Sequence, residues 1–174
     1  GSKDAKKKKE LLADLLGLRK SDRKAEFGAA NSWFVEGLAE YAATSALEIP
    51  NNERLFKVKE ARKKNELWPL EQLTVYRSGS FPGVSTDAAL SGYAQSWSFV
   101  TFLMKKHREG FLKYLDRMSR ETPAADQDIQ WLVEAIGVPL RPLENEWHAY
   151  IDTLETVDDP DIERIVRLQE ILGL

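Results

Sequence analysis

A chain of 174 residues with 43% apolar and 30% charged side chains has the length and composition of one folded domain, which excludes a disordered polymer. Its 25 basic and 28 acidic residues leave a formal charge of -3, so there is no global reason to expect nucleic acid. No apolar run approaches the roughly 20 residues of a membrane span, and zero cysteines exclude disulfides, thiolate metal sites and a Cys nucleophile.

Gly1-Ser2 reads as a cloning scar, and residues 1–9, with Lys3, Lys6, Lys7, Lys8 and Lys9, as that scar plus a solvated basic linker. Any leader could have been removed with what preceded the scar, so the compartment is unread; an extracytoplasmic or cell-envelope setting is compatible with the chain. Leu11, Leu12, Leu15, Leu16 and Leu18 fall at helical spacing and predict a first helix over residues 5–19, followed by a loop over 21–28. Asn31 is a good cap for a second helix reaching Leu47, with Trp33, Phe34, Leu38, Tyr41 and Ala42 on its buried stripe. Pro50-Asn51-Asn52 breaks the chain, and residues 53–66 read as a charged helix turning Leu55, Phe56 and Val58 inward. Pro69 fits the first turn of a short helix carrying Leu70, Leu73 and Tyr76.

Residues 78–85, with Gly79, Pro82 and Gly83, form the clearest loop. Thr86 and Asp87 suit the cap of a long central helix ending near Lys106. Its Ala89, Leu90, Tyr93, Trp97, Val100, Phe102 and Leu103 make it apolar around much of its circumference, as a buried core helix must be. Three further helices are predicted over 110–120, 126–136 and 143–154, separated by Pro123 and by Gly137-Val138-Pro139, with a last one over 160–172. No segment alternates as a strand does. The expected fold is therefore all-α: one compact multi-helix domain over residues 1–174, with Trp97, Phe102, Leu38, Tyr41, Leu112, Tyr114, Trp131 and Trp147 at its core.

The chemistry gathers in Trp33-Phe34-Val35-Glu36-Gly37-Leu38-Ala39-Glu40-Tyr41. An unpaired carboxylate is costly to bury, so Glu36 beside Trp33 and Phe34 needs a cation, a proton or exposure. Gly37 costs about 1 kcal/mol against Ala inside a helix, which points to another backbone packed close to it.

These nine residues resemble the W-x-x-E-G-x-A-x-Y segment of gluzincin metallopeptidases, the group that includes the aminopeptidase N-like enzymes, and the wider match is to bacterial peptidase-MA-like proteins. The resemblance implies that Glu36 is the third zinc ligand, donated by the helix that follows the one bearing H-E-x-x-H. Tyr93-Ala94-Gln95-Ser96-Trp97, 57 residues on from Glu36, is similar to the family's Tyr-x-x-Gly/Ser segment. It implies Tyr93 as the donor to the oxyanion of the tetrahedral intermediate, where a phenol hydroxyl contributes as negative charge develops. Glu36 and Tyr93 are then expected to face one groove. The resemblance covers roughly residues 10–155, and it implies zinc as the family's cofactor and a peptide or protein as the molecule bound.

The chain departs from that pattern at its centre. Its histidines are His107 and His148, and neither lies in an H-E-x-x-H. His107, in Lys105-Lys106-His107-Arg108, suits a helix end, and His148 reads as a packed or exposed helix residue. In the helix best placed to carry the motif, Glu10 and Asp14 stand where the imidazoles belong and Leu11 where the general base belongs. Without that base no water is activated, and without imidazoles zinc affinity falls away. Either the domain is a degenerate pseudopeptidase, or the motif lies upstream in a longer protein. In both cases no peptide hydrolysis and no bound zinc are expected; a carboxylate-only site of Glu10, Asp14 and Glu36 would prefer Ca²⁺ or Mg²⁺. A helical interaction module and a structural domain of a larger bacterial protein stay open beside that reading, whereas serine chemistry has no Gly-x-Ser-x-Gly elbow to support it.

Overall fold

The computed structural model describes residues 32–47, 51–75, 86–124 and 127–155. Among these residues it is all-helical, with seven helices and no strand: α1 (Ser32–Leu47), α2 (Asn52–Lys63), α3 (Leu70–Thr74), α4 (Thr86–Lys106), α5 (Arg108–Arg120), α6 (Gln127–Ile136) and α7 (Leu140–Thr153). The helices expected over 5–19 and 160–172, and the loops over 21–28 and 78–85, lie outside the described residues.

Local chemistry starts and stops these helices. The Asn51 side-chain oxygen accepts from the Arg54 amide at 3.2 Å and caps α2. Pro69 stands one place earlier than expected, as the N-cap of α3, and the Leu70 amide it leaves open is taken by Glu144 of α7 at 2.9 Å. His107, with φ -133°, separates α4 from α5, which therefore begins at Arg108 rather than at Gly110. Gly137 adopts φ 76° at the end of α6, a conformation that costs glycine little. Pro139 caps α7, which starts at Leu140, three residues before the expected Leu143: proline is tolerated in a helix's first turn, so Pro142 does not block it.

α4 is the central rod. α1, α2, α5 and α7 all pack against it, while α6 packs on α5 and α3. Phe99, Val100, Phe102 and Leu103 of α4 are essentially inaccessible to water. Trp33 inserts from α1 into an aromatic cluster, with ring centroids at 5.4 Å from Phe99, 6.4 Å from Phe111 and 6.2 Å from Tyr114. On the other side Trp147 packs at 5.2 Å from Phe99, and its indole N–H donates to the Ser98 hydroxyl at 3.1 Å.

Of the expected core, Leu38, Trp97, Phe102, Tyr114 and Trp147 are buried, as are Leu70 and Leu73 of α3. Tyr41, Leu112 and Trp131 pack only partly against the core; the outer face of Trp131 is covered by the Arg117 guanidinium, 3.7 Å from its ring. Phe56 is a correction: it is 64% exposed, because Leu55 and Val58 already face α4 and helical geometry turns the residue between them away. Tyr76 lies outside the described residues.

Candidate functional site

The two segments that carry the resemblance lie on α1 and α4, and these helices pack side by side. Gly37 marks the crossing. A Cβ there would stand 2.6 Å from the Ser96 carbonyl oxygen and 2.5 Å from a Val100 methyl, so the absence of a side chain lets the backbones meet. The close neighbour that Gly37 implied is thus the backbone of α4, within the second segment itself.

Glu36, immediately before Gly37, is partly buried, and Tyr93, one turn before Ser96, is likewise partly buried. A polar link between their helices runs through the next turn of α1. Glu40, on the same face as Glu36 at the i+4 position, accepts from the Asn51 side-chain amide at 3.1 Å and from the Arg54 guanidinium at 3.4 Å. That guanidinium lies over the Tyr93 ring, 5.8 Å from its centroid, with its other terminal nitrogen 4.0 Å from Glu53. Glu40, Asn51, Arg54 and Tyr93 therefore form one polar cluster at the junction of α1, α2 and α4.

Below Tyr93 the second segment is structural. The Gln95 side-chain oxygen accepts from the Trp68 amide at 2.7 Å, and its nitrogen donates to the Ser91 hydroxyl at 3.0 Å. Gln95 thereby clasps the connection before α3 onto α4, and so fixes the part of α4 that presents Tyr93.

The two histidines lie away from this cluster. His107 pairs with Glu146 of α7 at 2.8 Å and rests edge-on against Phe102. His148 packs on Trp147, and burial, then the nearby Arg62 charge, lowers its pKa below the ordinary histidine range.

Among the described residues no group of three His, Asp or Glu side chains is placed to hold a metal ion. The carboxylate beside Glu36, that of Glu40, is already engaged by Arg54 and Asn51. Glu10 and Asp14, the other acids considered from the sequence, lie outside the described residues.

A buried acid that sequence reasoning passed over lies at the N-terminal end of α1. Asp128, in the first turn of α6, is 1% exposed and accepts from the Trp33 indole N–H at 3.2 Å and from the Tyr114 hydroxyl. Burial pushes its carboxyl up to about 6, against the pull of those two donors. Burial, and then the charge of Asp128, raises the Tyr114 hydroxyl well above the ordinary tyrosine value. The only signal in the sequence was an acid at a helix start, which normally reads as a solvated cap.

Residues 20–125 of the chain match the family described as a protein of unknown function, DUF1570. The chain belongs to this family. The match takes in α1 to α5, with both quoted segments and the whole Glu40–Arg54–Tyr93 cluster; α6 and α7 lie beyond it. No curated protein and no solved structure matches the chain.

Proposed function

We propose that this DUF1570 domain is the helical part of a gluzincin-like domain whose zinc site is incomplete, and that it holds a peptide or protein segment without cleaving it. The observation that carries the reading is the crossing of α1 and α4 at Gly37 and Ser96, which brings together the two segments that the resemblance pairs. In such a domain Glu36 would be the remaining ligand and Tyr93 the remaining oxyanion donor. A working peptidase needs two more ligands, a water position and a general base.

A further observation supports binding without catalysis. The Arg54 Nη1, 4.0 Å from the Glu53 carboxylate, and the Trp97 indole nitrogen, one turn after Tyr93 on α4, are buried donors with no acceptor at hydrogen-bond distance among the described residues. Leaving such a donor unmade costs on the order of 1–3 kcal/mol, and a peptide carbonyl or carboxylate is an acceptor of the kind they lack. The alternative, a helical interaction or structural domain with no peptidase ancestry, rests on Arg54 already serving as the cation of the cluster.

Calorimetric zinc titration of the protein, run beside a peptide-library cleavage assay, separates these readings from an active enzyme. Weak or no zinc binding and no cleavage are expected. Sub-micromolar zinc binding abolished by Glu36→Ala, or cleavage sensitive to chelator, would overturn the proposal. Peptides retained by the wild type and lost with Arg54→Gln would mark the cluster as the binding site; retention unchanged by that substitution would place binding elsewhere.

A further inference from the structure

Asp128 joins three helices with one carboxyl: its own α6, α1 through Trp33 and α5 through Tyr114. Among the described residues no Lys, Arg or His pairs with it. The cations of α5 are turned to the surface, Arg117 to Glu134 at 3.2 Å and Glu121 at 3.8 Å, and Arg120 to Asp116. Lys113 pairs with Glu109, Arg108 is exposed, and so is Glu71 of α3, the other helix against α6. Tyr114 is thus the titratable group that faces Asp128, and Trp33 its other neighbour. A carboxylate buried without a cation is costly in its charged form, and two neutral donors offset that cost only in part.

The other end of α6 is held differently. A Cβ at Gly110 of α5 would stand 2.7 Å from the Ala135 carbonyl oxygen and 2.8 Å from the Ile136 Cα, a backbone contact with nothing to titrate. α6 is therefore pinned at its C-terminal end by shape, while its first turn adds to the packing of Ile129 and Leu132 one titratable contact, the Asp128 carboxyl.

We propose that Asp128 is a proton-operated latch: the first turn of α6 docks on α1 and α5 with the carboxyl protonated and loosens when that proton leaves. The sign follows from linkage. The docked carboxyl titrates near 6 against 3.8 for the free group, so the docked state holds more protons between those values. Docking is then strongest in acid, weakens as pH rises from about 4 to about 6, and is level above that window. Mildly acidic surroundings would tighten the junction beside Trp33, the first residue of the W-x-x-E-G segment, and neutral ones would loosen it.

Carbon-13 NMR of the Asp128 carboxyl, with hydrogen exchange of the α6 amides in the whole chain, tests this between pH 4 and 7. The carboxyl should titrate near 6. Protection of residues 127–136, corrected for intrinsic exchange and taken relative to α4, should fall roughly ten- to hundred-fold across the window, as expected for a shift of one to two pKa units. Asp128→Asn should abolish that fall, and Tyr114→Phe should move the midpoint upward because the lost hydroxyl favoured the charged form. A midpoint in the ordinary carboxylate range, or the same loss of protection in Asp128→Asn, would overturn the latch. Should Asp128→Asn not fold, the wild-type midpoint and its displacement in Tyr114→Phe decide alone.

Discussion

Two carboxylates flank α1, and they are handled in opposite ways. Glu40 stays partly open to water, 33% exposed at its side chain, and is given a cation, Arg54, and an amide, Asn51. Asp128 is taken out of water and given two neutral donors, Trp33 and Tyr114. The first arrangement is the less demanding of the two, since its carboxylate keeps part of its water and has a cation beside it. The second ties three helices at one buried point, because each group in it is buried and would be left unsatisfied alone. The open cluster is therefore the place where a ligand can be exchanged, and the closed one the place where helices are registered.

Breaking the closed side should cost most. Trp33→Ala removes a fully buried indole that touches Phe34, Phe99, Phe111 and Tyr114 and donates to Asp128. A loss of about 3–5 kcal/mol is expected from the cavity and the orphaned acceptor, read by urea unfolding; a loss under about 1 kcal/mol would mean that Trp33 is not the anchor described. The glycine crossings come next. Gly37→Ala and Gly110→Ala each force a methyl onto a carbonyl oxygen, Ser96 at 2.6 Å and Ala135 at 2.7 Å. Each should destabilise by about 1–3 kcal/mol despite Ala's better helix propensity. Trimming Val100 to Ala should not rescue Gly37→Ala, because the Ser96 carbonyl remains in the way.

On the open side, Arg54→Gln removes the cation from Glu40 and from the face of Tyr93. Since Glu40 keeps Asn51 and water, the loss should be at most about 1 kcal/mol, and smaller in high salt. A thermal melt showing a cost as large as that of Trp33→Ala would erase the distinction between the two sides.

Much of this was legible in the sequence, and for physical reasons. Apolar spacing of 3.6 residues located every described helix, because α4 and its neighbours bury continuous stripes. Gly37, an expensive residue inside a helix, announced the α1–α4 crossing. Helix starts were read less well at residues 108 and 140, where Gly110 and Pro142 look like punctuation but sit inside the first turn. The partners of the candidate site were not legible. Arg54 reaches Glu40 and Tyr93 from a different helix, and Asp128 meets Trp33 across 95 positions. Such contacts depend on how the helices cross, and no local pattern encodes them.

The smallest expected effect concerns α2, where sequence reading and structure part by one residue. Leu55-Phe56-Lys57-Val58 offers three apolar side chains, but a helix advances 100° per residue, so 55 and 58 share a face and 56 does not. Leu55 and Val58 are buried against α4, whereas Phe56 is 64% exposed. Single exposed aromatics are ordinary on protein surfaces, so nothing in the packing of α2 depends on this ring. Phe56→Ser should therefore change stability by no more than about 0.5 kcal/mol, the usual range for a surface substitution. Leu55→Ala, one position away, should cost about 2–5 kcal/mol, because it opens a cavity beside α4. Chemical denaturation of the two variants in parallel checks the assignment. Equal losses would show that Phe56 is covered after all, and would turn the outer face of α2 inward.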